Sequence, residues 1–292
     1  MHLLLAALLV TGPRLVSPSW LADHLHDPDL VILHVGRPDT YAQHIAGAQR
    51  TDLTILSANA GPDMDTTALA VEMLSPDVLR ARLESYGISD RSTVVVYAAN
   101  DHAVTAATRV VFTLRVAGLG ARAVFLDGGL TAWNAEGRPL TDVVPHPAPG
   151  HITTTPVPSL VVDAGWVQSH LKRPGIVVID ARDHVFYDGT EQGESRYGHI
   201  PDAKSLPFSE MFDDAGKLKS SAALQSLFHG VGAAPGDTIV AYCHIGMQAT
   251  AVLFAADHIG YPVKLYDGSF QDWSSRKDLP VIDPAARSTK SK

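Results

Sequence analysis

Between residues 175 and 283 the chain alternates between two apolar rhythms. "GIVVID" (175–180) is an unbroken β-branched run, the pattern of a strand covered on both faces. "SAALQSLFHGVG" (221–232) spaces its apolar residues at helical intervals and stops at glycine. "DTIVAYC" (237–243) reads as a second buried strand, and "QATAVLFAADHIGY" (248–261) as a helix closed at Gly260. "PVKLYDG" (262–268) is a third strand running into a turn. Strand, helix, strand, helix, strand predicts an α/β unit with a parallel sheet and helices on both faces. Ligands of such sheets gather beyond the carboxyl ends of strands. Cys243 stands at one of those ends.

The same blocks occur earlier, in the same order. "LVSPSWLADHL" (15–25) resembles "LVVDAGWVQSHL" (160–171), and "LVILHVGRPDTY" (30–41) resembles "GIVVIDARDHVFY" (175–187). "QHIAGAQRTDL" (43–53) matches "GHIPDAKSLPF" (198–208), and "STVVVYA" (92–98) matches "DTIVAYC" (237–243). "FLDGGLTAWNAEGRPL" (125–140) matches "LYDGSFQDWSSRKDLP" (265–280). Two copies at this spacing are homologous domains, expected over 15–140 and 160–284. Prolines at 145, 147, 149, 156 and 158 mark the stretch between them, 141–159, as an extended linker over the domain surface. A disordered tail is expected over 285–292.

Composition narrows the function. Of 292 residues, 46% are hydrophobic and 18% charged, which is ample apolar material for two cores. The net charge of −8, without blocks of lysine or arginine, argues against nucleic acid and against an anionic membrane surface. An anionic substrate then needs a local positive pocket. One cysteine excludes an internal disulfide and any zinc site built on several thiolates. The 14 histidines form no metal-binding motif, so neither a metal nor another cofactor is expected. Residues 3–10 are all apolar, too few to span a bilayer but fitting a short signal core. No Lys or Arg precedes this run and no clear cleavage site follows. Residues 1–14 are therefore read as a signal or disordered segment, leaning towards export.

"IVAYCHIGMQAT" (239–250) concentrates the candidate chemistry. A short loop between a strand and a helix N-terminus aims several backbone N–H groups at one spot, and the helix dipole adds positive potential. Gly246 allows an unusual backbone angle or a close approach. In such a cradle a thiol is expected to ionise more easily than a free one, and the thiolate is the nucleophile. The first copy has Ala98 at the equivalent place and His34 in place of Asp180, so it is expected to be inert.

"VIDAR", "GHIPDA", "YCHIGMQAT" and "LYDGSFQDW", in this order, resemble the tandem-domain rhodanese family of sulfurtransferases over residues 15–283. The resemblance implies two domains of one fold, each a parallel five-stranded sheet with flanking helices, with catalysis by the second copy. It implies that Cys243 takes the outer sulfur of a donor such as thiosulfate and passes it, as a persulfide, to cyanide or a thiol. The amides from His244 through Ile245, Gly246 and Met247 to Gln248 are expected to stabilise the anionic terminal sulfur. Arg182 is expected to match the family's donor-binding arginine, with Arg196 as a second candidate. Asp180 is expected to position the loop, and Thr250 to cap the helix or bond the loop. His199 is expected to anchor a turn. Asp267 and Trp273, like Asp127 and Trp133 in the inert copy, are expected to serve the domain core.

The pair after the cysteine departs from the family. Basic residues there accompany thiosulfate, and small residues accompany 3-mercaptopyruvate; His244 and Ile245 are neither, and the histidine tips the expectation to thiosulfate. A 3-mercaptopyruvate sulfurtransferase is the nearest alternative. A non-catalytic persulfide carrier or redox sensor is an alternative of another class. A phosphatase of the same fold needs an arginine where Ala249 stands. Partners are therefore expected to be small sulfur donors and acceptors, and the protein a monomer.

Overall fold

The computed structural model describes residues 14–289. The strands of the first copy are β1 (Arg14–Val16), β2 (Leu30–Val35), β3 (Ala48–Thr51), β4 (Ser57–Ala58), β5 (Glu72–Met73), β6 (Thr93–Ala98) and β7 (Ala123–Leu126). Those of the second are β8 (Val161–Val162), β9 (Ile176–Asp180), β10 (Lys204–Ser205), β11 (Thr238–Tyr242) and β12 (Val263–Tyr266). Each copy builds a five-stranded sheet, ordered β1-β7-β6-β2-β3 and β10-β9-β11-β12-β8. All pairings within the two sheets are parallel; β4 and β5 form a separate antiparallel pair. The α/β class and the duplicated parallel sheets expected from the apolar runs are what is seen.

Two separate cores were expected; the packing joins them. One apolar cluster runs from Leu33, Val96 and Phe125 of the first copy to Ile239, Phe254 and Leu265 of the second. Its centre is the contact between the helices Val104–Val116 and Ala249–His258, which bury nearly every residue. A helix that is apolar all round belongs in an interior. Phe125 meets Phe254 across the boundary with ring centres 5.0 Å apart. Burying one such ring contributes about 1.5–3 kcal/mol, so apolar packing holds the two copies together at this seam. Arg115 and Asp257 add an ion pair of 2.7 Å at its edge.

The proline-rich stretch 141–159 carries no helix or strand apart from a 3₁₀ turn at Pro158–Leu160. It follows the first copy. Gly150 and Val157 donate backbone hydrogen bonds to Glu84 (2.8 Å) and Val116 (2.7 Å), and Ile152 enters the core. Residues 285–289, expected to be disordered, belong instead to the helix Pro284–Thr289. Asp283 accepts from the Ala286 N–H and supports its first turn. The signal-like run of residues 3–10 lies outside the described residues. Among the described residues, no helix is long and apolar enough to cross a membrane.

Candidate functional site around Cys243

Cys243 directly follows β11, the middle strand of the second sheet, and is fully buried. The chain turns through His244–Gln248 and enters the helix Ala249–His258. Gly246 makes the turn possible: its φ is +79°, and a Cβ there would lie 2.6 Å from the Asp267 carbonyl oxygen. The backbone N–H groups of Ile245, Gly246, Gln248 and Ala249 are directed at the thiol. Ile245, Gly246 and Gln248 belong to the expected run, and Ala249 joins them.

Easy ionisation was expected, and burial overturns that for the resting site. Desolvation pushes the Cys243 thiol above its ordinary range, and the four amides pull it only part of the way back. Neighbouring backbone holds the cysteine itself. Its N–H donates to the Ser269 hydroxyl (3.1 Å), which in turn donates to the Tyr266 carbonyl (2.9 Å). Its carbonyl accepts from Phe270 N–H, and that of His244 from Gln271 N–H, both at 3.0 Å.

Arg182 does not stand free in the cleft. Its Nε and Nη2 grip the Asp180 carboxylate at 3.0 and 2.7 Å, Nη2 also reaches the Gly198 carbonyl (2.7 Å), and Nη1 reaches Glu194 (3.1 Å). The guanidinium is 1% exposed and lies 4.0 Å from the centre of the Phe270 ring. In the ligand-free protein the expected donor-binding arginine is held in a buried ion pair with Asp180. Asp180 also accepts from the Tyr242 hydroxyl (2.7 Å). It therefore braces the strand end below the loop. Glu194 carries the network onward to His244 Nδ1, whose ring sits edge-on to Phe186 with centres 4.6 Å apart. His244 is thus tied to a carboxylate and one-quarter exposed.

Arg196 is elsewhere. Its guanidinium donates to the carbonyls of Trp273, Ser274, Arg276 and Leu279 at 2.8–2.9 Å. It satisfies the open C-terminal carbonyls of the helix Ser269–Ser275, where a cation also suits the helix dipole. That geometry removes it from the candidate donor site. Thr250 donates to the Met247 carbonyl (2.7 Å), a bond to the loop, and helix capping by Thr250 is not what is seen. Ile245 and Met247 are half-buried, and the Gln248 Oε1 is buried with no partner. His199 stacks on Tyr187 and bonds its carbonyl (2.7 Å), while Trp273 and Trp133 each donate to a proline carbonyl. Asp267 and Asp127, expected to serve their own cores, reach across the domain boundary instead. Asp267 accepts from Met73 N–H (2.7 Å) and Asp127 from Leu218 N–H (2.9 Å).

The first copy also contributes to the site, through a residue not among the expected ones. Arg109, in the middle of the helix Val104–Val116, is 0% exposed and crosses to the second copy. Its Nη1 donates to Asp267 (2.5 Å) and to the Gly246 carbonyl (3.1 Å), and its Nη2 to the Val71 carbonyl (2.8 Å). The signal was present: "VTAATRVVFTLRV" is an apolar helix with a charge at its centre, and a buried charge needs partners. In the first copy the site is replaced throughout. Ala98 takes the cysteine's place, and His34 bonds Tyr97 (2.9 Å) as Asp180 bonds Tyr242. Burial lowers the His34 pKa to about 4, which leaves it neutral. Among the described residues, no group of three His, Cys, Asp or Glu is placed to hold a metal ion.

Two fused parallel α/β domains, one bearing a cysteine in an amide-lined loop and the other an alanine there, define a tandem protein with a single thiol centre. The rhodanese-like domain model matches twice, over residues 17–136 and 163–276, and the chain belongs to the rhodanese family. It is 31% identical over 285 residues to a probable 3-mercaptopyruvate sulfurtransferase of Pseudomonas aeruginosa, covering 93% of this chain and 99% of that one. It is 30% identical over 290 residues to a sulfur carrier protein of Thermus thermophilus, covering 91% and 95%. The crystal structure of a 3-mercaptopyruvate sulfurtransferase from Escherichia coli superposes with a TM-score of 0.75 at 26% identity, covering 88% of this chain and 99% of that one.

Proposed function

We propose that the protein is a sulfurtransferase that carries sulfane sulfur on Cys243, with thiosulfate as donor. The observation that carries this reading is the convergence of four backbone amides on the thiol beyond β11. The thiol first loses its proton. The thiolate then attacks the outer sulfur of thiosulfate; the S–S bond breaks and sulfite leaves with the electron pair. The terminal sulfur of the persulfide is anionic, and the amides that converge on the cysteine stabilise it as an oxyanion hole stabilises oxygen. Cyanide or a thiol then attacks that sulfur and the Cys243 thiolate returns, a two-stroke covalent cycle. His244, bonded to Glu194 and one-quarter exposed, begins the loop and is placed to meet an incoming donor.

Purified protein is expected to form thiocyanate from thiosulfate and cyanide, and Cys243→Ser to abolish it; a serine variant of full activity refutes the reading. Because burial favours the protonated thiol, the sulfite-release step speeds up as pH rises above neutrality. A rate flat with pH contradicts that order of events. Similarity to the Pseudomonas enzyme favours 3-mercaptopyruvate as a second donor, and kcat/KM for the two donors side by side decides. Similarity to the Thermus carrier favours a reading in which the persulfide awaits a partner, revealed by stoichiometric loading without turnover. A monomeric state, export on the apolar run 3–10, and domain limits at 15–140 and 160–284 belong to the same proposal. Sedimentation, N-terminal sequencing of the mature protein and limited proteolysis test them.

A further inference from the structure

The first copy has lost its nucleophile, yet it sends a fully buried arginine into the second copy's loop. The cost of that placement is visible. Arg109 Nε is buried without a partner, an unfavourable state for a donor removed from water. Val71, whose carbonyl takes the Nη2 hydrogen bond, sits at φ +60°, where a β-branched residue is strained. Such costs persist where the surroundings fix a geometry for another reason. Here both the orphan and the strain serve one fork, whose other arm holds Gly246 and Asp267.

The Gly246 carbonyl shares its peptide plane with the Met247 N–H, and the Gly246 N–H points at the thiol. Fixing that carbonyl fixes the rotation of the loop on both sides of it. Asp267, the other acceptor of Nη1, forms with its own backbone oxygen the wall against which Gly246 packs. Next to Arg109 in the helix, the Thr108 hydroxyl of the first copy meets that of Thr250 (3.0 Å), which holds the Met247 carbonyl. The loop carbonyls are thus held through the inert domain while the loop amides face the sulfur.

We propose that Arg109 is a positioning residue for Cys243: supplied by the inert copy, it sets the Gly246–Met247 peptide so that the loop amides converge on the sulfur. The second copy's anion cradle is therefore completed by the first copy of the same chain. This deepens the reading of Cys243 as the nucleophile, and its test does not depend on turnover.

Cys243 is the sole cysteine, so alkylation of the whole protein reports on it alone. The test compares the pH profile of iodoacetamide alkylation in the wild type, Arg109→Lys, and the double variant Arg109→Met/Asp267→Asn. Lysine keeps a charge for Asp267 but loses the planar fork that reaches Gly246 and Val71 together. The double variant removes both charges, a change that buried ion pairs often tolerate, and asparagine keeps an acceptor for Met73 N–H. In each folded variant the midpoint for alkylation is expected to move to higher pH. The rate at pH 7 is expected to fall about tenfold, since the loop donors are worth that much or more. In thiosulfate turnover, kcat falls and KM changes little. A role confined to holding the domains together would lower Tm and leave the alkylation midpoint in place. Variants that are folded and alkylate with the wild-type profile overturn the proposal. If alkylation shifts as expected while wild-type protein turns over no donor, the positioning role stands and the enzymatic reading falls.

Discussion

Replacing Arg182 with alanine separates a structural arginine from a donor-binding one. In the wild type the guanidinium makes two bonds to Asp180, one to Glu194 and one to the Gly198 carbonyl. It also packs against Phe270. Asp180 is 0% exposed, so water does not replace what is lost. The carboxylate keeps the Tyr242 hydroxyl and the backbone N–H of residue 182, which offset part of the charge. Breaking one partner out of a buried ion pair costs about 3–5 kcal/mol. At about 2–4 °C per kcal/mol for a unit of this size, Tm falls by about 6–20 °C. Urea unfolding followed by tryptophan fluorescence measures the first quantity and calorimetry the second. Asp180→Asn/Arg182→Met, which removes both charges, is expected to recover part of the loss, since the uncompensated carboxylate is the larger part of it. An Arg182→Ala protein of wild-type stability, with KM for an anionic donor raised severalfold, refutes this reasoning and returns Arg182 to the donor site.

Two further predictions rest on other parts of the site. Gly246→Ala places a Cβ 2.6 Å from the Asp267 carbonyl oxygen at φ +79°. Left-handed backbone alone costs about 1–2 kcal/mol, and a displaced loop donor lowers the rate of sulfur uptake about 10²-fold. Rapid-mixing measurement of sulfite release checks this, and a wild-type rate rejects it. Burial, reinforced by Asp267 and opposed by Arg109, pushes the Glu72 carboxyl up to about 7 from an ordinary 4.5. The folded state then binds this proton more tightly than the unfolded chain. The stability it contributes is full below pH 4.5 and is lost as pH rises through about 7. Glu72→Gln is expected to raise stability at pH 8 by about 1–2 kcal/mol, discounted because the group is partly exposed, and to change little at pH 4. Equal effects at both pH values reject it.

How much of this was legible in the residues follows from the range of each interaction. β9, β11 and β12 show as unbroken apolar runs because strands covered on both faces tolerate little else. The duplication, the loss of the thiol at Ala98 and the turn at Gly246 are likewise local. What "DAR" and "ESR" do with their arginines is not local. Arg182 looked like a donor ligand because it follows a strand end, but only the packed chain brings Glu194 and Gly198 to it. Arg196 looked like a second one, but only the packed chain brings it the carbonyls of residues 273–279.

The sequence by itself determined the α/β class, the two copies, which copy keeps the cysteine, and the strand-to-helix loop that holds it. Periodicity, glycine and a missing thiol express those things over a few residues. The tertiary structure alone decided that the thiol is buried and protonation-prone at rest, and that two candidate arginines are spent on Asp180 and on helix-end carbonyls. It alone decided that Arg109 of the first copy, held by Val71, reaches the loop. Desolvation, ion pairing and hydrogen bonding depend on which atoms lie within a few ångströms once the chain has closed, and these partners are separated by up to 158 residues.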